Sequence, residues 1–157
     1  MFYGEPRLTH DVDIVVDIDL QSALGLQNFL TDEYYISEEG IRDALANRTM
    51  FNIIHHESGL KIDFWILTDS EFDKSRFNRR VRHKIAGRDY FFSSPEDTIL
   101  IKLLWKRESD HGKHIDDVRS MVRIFPGNLD YNYLKFWITK LGLKKESGLA
   151  GLRFDSI

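Results

Sequence analysis

The first constraint on the fold is a short apolar run whose entrance carries two carboxylates. Residues 12–18 are largely apolar and β-branched, and their number is typical of a buried strand. Asp11 and Asp13 stand at the beginning of this run. Because side chains alternate between the two faces of a strand, both aspartates are predicted to point the same way. Two carboxylates on one face need water, a basic partner or a bound cation.

A third carboxylate, Asp63, lies inside a later apolar strand. The stretch LKIDFWIL, residues 60–67, alternates between two faces, and Asp63 shares its face with Lys61 and Trp65. The opposite, apolar face consists of Leu60, Ile62, Phe64 and Ile66. If this strand lies beside the first, three carboxylates converge, and they repel one another unless a cation binds. Such oxygen ligands select Mg²⁺ or Mn²⁺, whereas an ion pair with a lysine or arginine is the structural alternative.

Capping and turn signals predict the remaining helices and strands. Asp19, Ser37 and Ser94 are predicted N-caps, and the last is followed by proline and two acids, which makes a strong helix start. TMFNIIHH and LKIDFWIL are predicted to pair as an antiparallel hairpin around Gly59. KIAGRDYFF is predicted to form a second hairpin, or a strand with a turn, at Gly87. The predicted helices cover residues 20–32, 37–47, 71–83, 95–108, 115–124 and 131–141.

Strands dominate the first part of the chain and helices the last. We therefore expect an α/β (α+β) protein, with a mixed sheet flanked by helices in residues 1–93 and a C-terminal helical subdomain in residues 94–157, packed as one compact unit. A net charge of −3 gives no overall basic field that would favour nucleic acid, and the absence of cysteine excludes disulfides and thiolate chemistry. Because we find neither a signal peptide nor an apolar run of about 20 residues, we expect a cytoplasmic protein without membrane contact.

Four blocks follow one another along the chain: YGEPRLTHDVDIVV, LKIDFWIL, SSPEDTILIKL and GKHIDDV. In this combination, from Gly4 to about Val118, the chain resembles the nucleotidyltransferase-fold superfamily. More narrowly, it resembles the small prokaryotic members related to AbiEii-type toxin nucleotidyltransferases. The resemblance implies a mixed nucleotidyltransferase-type sheet and metal-dependent transfer of a nucleoside monophosphate from an NTP to a hydroxyl acceptor. It implies Mg²⁺ or Mn²⁺ as the cofactor, and RNA, a protein or a small molecule as the acceptor.

The resemblance also implies roles for individual residues. Asp11 and Asp13 match the paired acids that bind metal ions and take part in catalysis. Asp63 matches the third acid of that set, and it is in addition a candidate general base for the acceptor hydroxyl. The positions that match substrate or phosphate contacts are Arg7, Thr9 and Lys102.

Two departures from the family pattern leave other functions open. His114 replaces the first acid of a K-D-x-x-D pattern that Lys113 and Asp117 otherwise match. Gly4 belongs to the YG-x-P-R element, so the usual Gly-Gly or Gly-Ser turn, whose backbone N–H groups hold NTP phosphates, is not seen before the paired acids. The first alternative is therefore a catalytically degenerate binding or regulatory protein, toxin–antitoxin-like, with a partner protein. The second is a phosphohydrolase or nuclease in which water is the nucleophile at the same carboxylates.

Overall fold

The computed structural model describes residues 11–109, 112–125, 127–152 and 154. The contacts within the chain form two compact units that divide between Lys74 and Ser75, whereas the sequence placed a division after residue 93. We call residues 11–74 the sheet unit and the described residues from 75 onward the helical unit. The predicted mixed α/β class is confirmed.

The sheet unit supplies a four-stranded mixed sheet within the described residues. In chain order its elements are β1 (Asp11–Val16), α1 (Leu20–Leu30), β2 (Tyr34–Ile36), α2 (Glu38–Asn47), β3 (Met50–His55), β4 (Lys61–Ile66) and the start of α3 (Glu71–Asn78). The strand order is β1-β4-β3-β2. β1 runs parallel to β4, and the other neighbours are antiparallel. The predicted β3–β4 hairpin is confirmed, with a φ of +67° at Gly59, whereas β2 was not predicted.

One face of this sheet forms a hydrophobic core with α1 and α2. The buried members of the core are Ala23, Ile41, Ala44, Phe51, Ile53, Phe64 and Ile66. Phe51 and Phe64 are partners in the β3–β4 register, and their rings stack with centroids 5.0 Å apart. Because β4 buries Phe64 and Ile66 in this core, the alternation of the strand puts Asp63 on the opposite face, as predicted.

The helices α1 and α2 begin at the predicted N-caps. The Asp19 side chain accepts a hydrogen bond from the backbone N–H of Ser22 at 2.8 Å, and Ser37 accepts one from Gly40 at 3.0 Å. Each bond satisfies a backbone donor that the first helical turn leaves without a partner. The caps therefore fix where the chain turns from strand into helix.

The helical unit begins with a hairpin and continues with helices. After α3 its elements are β5 (Val81–Ile85), β6 (Arg88–Phe92), α4 (Pro95–Glu108), α5 (Lys113–Ile124), α6 (Tyr131–Lys140) and α7 (Lys144–Leu149). The hairpin is confirmed, and its two turn residues, Ala86 and Gly87, have φ values of 49° and 82°, as a two-residue turn requires. The helix predicted for residues 71–83 is wrong beyond Asn78, because the residues that follow pair with β6 instead. α7 was not predicted.

None of the helices in the described residues combines the length and apolar character needed to span a membrane.

Candidate functional site

The register between β1 and β4 brings two of the predicted acids side by side. Asp13 and Asp63 are Cα partners across the parallel pair, and Asn52 of β3 is the partner of Asp63 on its other side. Residues in register on neighbouring strands point to the same face of a sheet. Asp13, Asp63 and Asn52 therefore form one row across three strands, which we call the carboxylate row. It lies on the face opposite the core of the sheet unit.

Asp63 is the buried member of the carboxylate row. Its residue surface is 6% exposed, and its Oδ2 lies 2.8 Å from the ammonium of Lys61. Its Oδ1 is buried and has no hydrogen-bond partner. An unpartnered buried carboxylate oxygen is costly, since a hydrogen bond to a charged group contributes about 1.5–3 kcal/mol. Asp63 therefore retains one oxygen that is suited to a cation or a hydrogen-bond donor.

Asp13 is the exposed member of the row, and its orientation is set by a tryptophan. The indole Nε1–H of Trp65 donates to Asp13 Oδ1 at 3.0 Å. Trp65 stands two residues after Asp63 in β4. The strand that carries Asp63 therefore also carries the hydrogen-bond donor to Asp13. The bond links the side chains of β1 and β4 on the face where the carboxylates lie.

The remaining predicted residues of this site are only partly within the described residues. Asp11 belongs to β1, and its Cα is paired with that of Lys61, but its side chain lies outside the described part of the chain. Arg7 and Thr9 lie outside the described residues altogether. Among the side chains that the structure describes, no group of three His, Cys, Asp or Glu is placed to hold a metal ion. The convergence of all three aspartates stays a prediction.

Lys102 lies in α4 of the helical unit and forms a buried ion pair there. Its Nζ is 2.7 Å from Oδ2 of Asp117 in α5, and the two side chains are 10% and 8% exposed. The ammonium also lies 5.9 Å from the centroid of the Trp105 ring. Both charged residues stood at positions that the family resemblance marks, and the structure pairs them with each other. A phosphate contact by Lys102 stays a prediction.

A second buried polar cluster, which the sequence did not reveal, surrounds Asp97 near the start of α4. Ser94 caps the helix and also donates its hydroxyl to Asp97 Oδ2 at 2.7 Å, and Tyr133 donates its hydroxyl to Oδ1 at 2.7 Å. The Arg79 guanidinium lies 3.9 Å from the Tyr133 ring centroid and pairs with Glu96 at 3.3 Å. Only the serine cap could be read from the sequence, because the other contacts join distant segments.

Burial is the largest influence on the pKa values of Asp97 and Tyr133 in this cluster. It raises the pKa of the Asp97 carboxyl above its ordinary value of 3.8, although hydrogen bonds from Ser94 and Tyr133 and the charge of Arg79 oppose the shift. Burial also raises the pKa of the Tyr133 hydroxyl to about 12, so this group stays protonated and remains a donor to Asp97. Proton uptake at Asp97 is therefore linked to folding.

The raised pKa of Asp97 predicts a pH-dependent contribution to stability. Just above pH 3.8 the folded protein still holds the Asp97 proton that the unfolded chain has released, so this contribution falls as pH rises through the folded pKa. Asp97→Asn cannot titrate. We expect the difference in the free energy of unfolding, wild type minus Asp97→Asn, to decrease from below pH 3.8 to neutral pH in urea titrations. Carboxylates elsewhere cancel in this difference, and a constant or rising difference would contradict the prediction.

Lys61 and Trp65 contact the two aspartates of the carboxylate row, and sequence reasoning did not assign either contact. Each lies two residues from Asp63 on the same face of β4, so alternation alone placed them near it. The alternation could not show which bonds these side chains form, because the hydrogen bond from Trp65 crosses to β1 and joins residues 52 positions apart.

No model of a known protein family matches the chain, and no curated protein sequence matches it either.

Proposed function

We propose that this protein is a metal-dependent nucleotidyltransferase that moves a nucleoside monophosphate from an NTP to a hydroxyl acceptor. The observation that carries the proposal is the carboxylate row. Two aspartates stand in register on neighbouring parallel strands, and the buried one, Asp63, keeps an oxygen without a hydrogen-bond partner. The motif resemblance suggests the reaction class, and the carboxylate row supports the proposal because it offers oxygen ligands for a metal ion.

The donor set of the row fits Mg²⁺ or Mn²⁺. Asp13 and Asp63 offer carboxylate oxygens, and Asn52 offers an amide oxygen in the next strand. Such hard oxygen donors, completed by substrate phosphates and water, are the usual environment of Mg²⁺. When bound, the metal ion would neutralise negative charge on the triphosphate and orient it. Asp11 would join this set by its position in β1.

The side chains of the row have distinct parts in the proposed reaction. The oxygen of the acceptor hydroxyl forms a bond to the α-phosphorus, the bond from that phosphorus to the α,β-bridging oxygen breaks, and pyrophosphate leaves. The carboxylate of Asp63 accepts the hydroxyl proton. The hydrogen bond from Trp65 orients the carboxylate of Asp13. Most of the rate enhancement comes from positioning and charge stabilisation, as in phosphoryl transfer in general.

Calorimetric titration with Mn²⁺, and then with each common NTP in the presence of Mn²⁺, tests this proposal. We expect the wild-type protein to bind both, and Asp13→Asn to bind Mn²⁺ at least about tenfold more weakly, because it loses one charged ligand. Asp17→Asn is the matched control, since Asp17 is an exposed aspartate just beyond the end of β1. Equal Mn²⁺ affinity of Asp13→Asn and the wild type would contradict the proposal.

A second candidate function is a catalytically degenerate protein that binds or regulates a partner. The ion pair between Lys61 and Asp63 favours it, because a lysine can compensate a buried carboxylate without any metal ion. Binding of Mn²⁺ without any NTP would support this function. Release of inorganic phosphate or cleavage of nucleic acid, without nucleotide incorporation, would instead identify a phosphohydrolase or nuclease.

A further inference from the structure

We propose that Lys61 is a phosphate-binding residue that pairs with Asp63 in the free protein and with the triphosphate when substrate is bound. This inference rests on the proposed function and adds a residue that neither the motif resemblance nor the strand pattern assigns to the substrate. It concerns the polyphosphate part of the substrate, which every NTP shares.

The position of Lys61 suits both partners. It is the first residue of β4, on the same face as Asp63 and two residues before it, a distance of about 6.6 Å along a strand. Its ammonium donates a hydrogen bond to Asp63 Oδ2 at 2.8 Å. The lysine side chain is 36% exposed, whereas that of Asp63 is 9% exposed. One end of the ion pair is therefore fixed in the site, and the other can move toward a ligand that enters from solvent.

The charges favour an exchange of partners when metal and nucleotide bind. A divalent cation at the unpartnered Oδ1 of Asp63 would withdraw negative charge from the same carboxylate that holds Lys61. The triphosphate would bring new negative charge to the carboxylate row. A lysine ammonium is a compact charge on a flexible stem, and it binds phosphate as a point charge. Lys61 can thus change partner through its own side-chain torsions, without any rearrangement of β4.

A purely structural lysine would behave differently when it is replaced. If Lys61 only compensated Asp63, its removal would lower stability and leave the affinity for phosphate unchanged in the folded fraction. If Lys61 binds phosphate, its removal acts on two affinities in opposite directions. The metal ion loses a competitor for Asp63, and the triphosphate loses a cation.

The experiment compares Mn²⁺ alone with Mn²⁺ plus inorganic tripolyphosphate, a probe that carries only the phosphate chemistry. For Lys61→Met we expect Mn²⁺ to bind as tightly as to the wild type or more tightly. We expect the tripolyphosphate affinity to fall at least about tenfold, since the substitution removes a charge-assisted hydrogen bond to phosphate. Lys61→Arg should keep most of the tripolyphosphate affinity, because it retains the charge.

Lys74→Met is the matched control, because it removes the same charge from an exposed lysine of the sheet unit that pairs with Asp69. It should leave both affinities unchanged. If the wild type binds both probes and Lys61→Met binds tripolyphosphate equally well, the inference is wrong and the proposed function stands. If Lys61→Met fails to fold, Lys61→Gln replaces it under the same criterion. If the wild type does not bind Mn²⁺, the proposed function is wrong, and this inference, which rests on it, is wrong as well.

Discussion

Replacing Asp63 by asparagine should abolish nucleotidyl transfer while the protein stays folded. The amide keeps the size of the carboxylate but removes its charge and its ability to accept a proton. We expect the rate to fall at least about 10³-fold, the size of effect seen when a charge-stabilising group is removed from an active site. The fold should tolerate the change, because the partner of Asp63, Lys61, is 36% exposed and can extend into water. Incorporation of label from an α-labelled NTP measures the rate.

The control for this experiment is again Asp17→Asn, which removes an exposed carboxylate close to β1 in sequence but outside the carboxylate row. It should transfer nucleotide at the wild-type rate. Circular dichroism and the urea midpoint report whether each variant is folded. A folded Asp63→Asn protein that retains more than about a tenth of the wild-type rate would show that Asp63 does not take part in the reaction, since such a loss corresponds to only about 1.4 kcal/mol.

Replacing Lys102 by methionine should destabilise the protein by about 3–5 kcal/mol, because it leaves the charge of Asp117 buried without its ammonium partner. The double variant Lys102→Met/Asp117→Leu removes both charges and should recover most of the lost stability. Urea unfolding measures both changes. Asp116→Asn is the control in the same helix, because the ion pair of Asp116 with Arg119 is exposed and is expected to contribute less than about 1 kcal/mol.

The same double variant separates the structural role of Lys102 from a role in substrate binding. If it is folded and binds Mn²⁺ and tripolyphosphate as the wild type does, the implied phosphate contact of Lys102 is wrong. A folded double variant with weaker tripolyphosphate binding would support that contact. A single Lys102→Met variant that unfolds within about 1 kcal/mol of the wild type would contradict the ion-pair prediction.

The strand faces could be predicted from the sequence because the two faces of β4 differ sharply in polarity. Phe64 and Ile66 alternate with Asp63 and Trp65, and a period of two has no helical counterpart. The helix predicted across residues 71–83 is too long. The run of basic residues was assigned to the helix, so the first strand of the predicted hairpin was placed from Lys84, whereas it begins at Val81. β2 was not predicted, because a strand of three residues is too short to show the alternation of polar and apolar side chains.

The candidate site could be predicted only as far as its acids. The spacing of Asp13 after Asp11 and the charge within β4 indicated that carboxylates would share one face, and the register of Asp13 with Asp63 agrees with this. The bonding around them depends on distances between segments far apart in the chain. From the sequence alone, an ion pair of Asp63 with a lysine or arginine is one possibility, and the structure identifies Lys61 as that partner.

Because β1 pairs with β4 across a long stretch of chain, we expect the carboxylate row to be completed late in folding. β3 and β4 are joined by a short turn, so their hairpin closes a small loop and can form early. β1 reaches β4 only by closing a loop that includes α1, β2, α2 and β3, at a larger entropic cost and a slower rate. A chain that is still folding thus lacks the paired carboxylates. The proposed metal site and the proposed nucleotidyl transfer would therefore require the finished sheet.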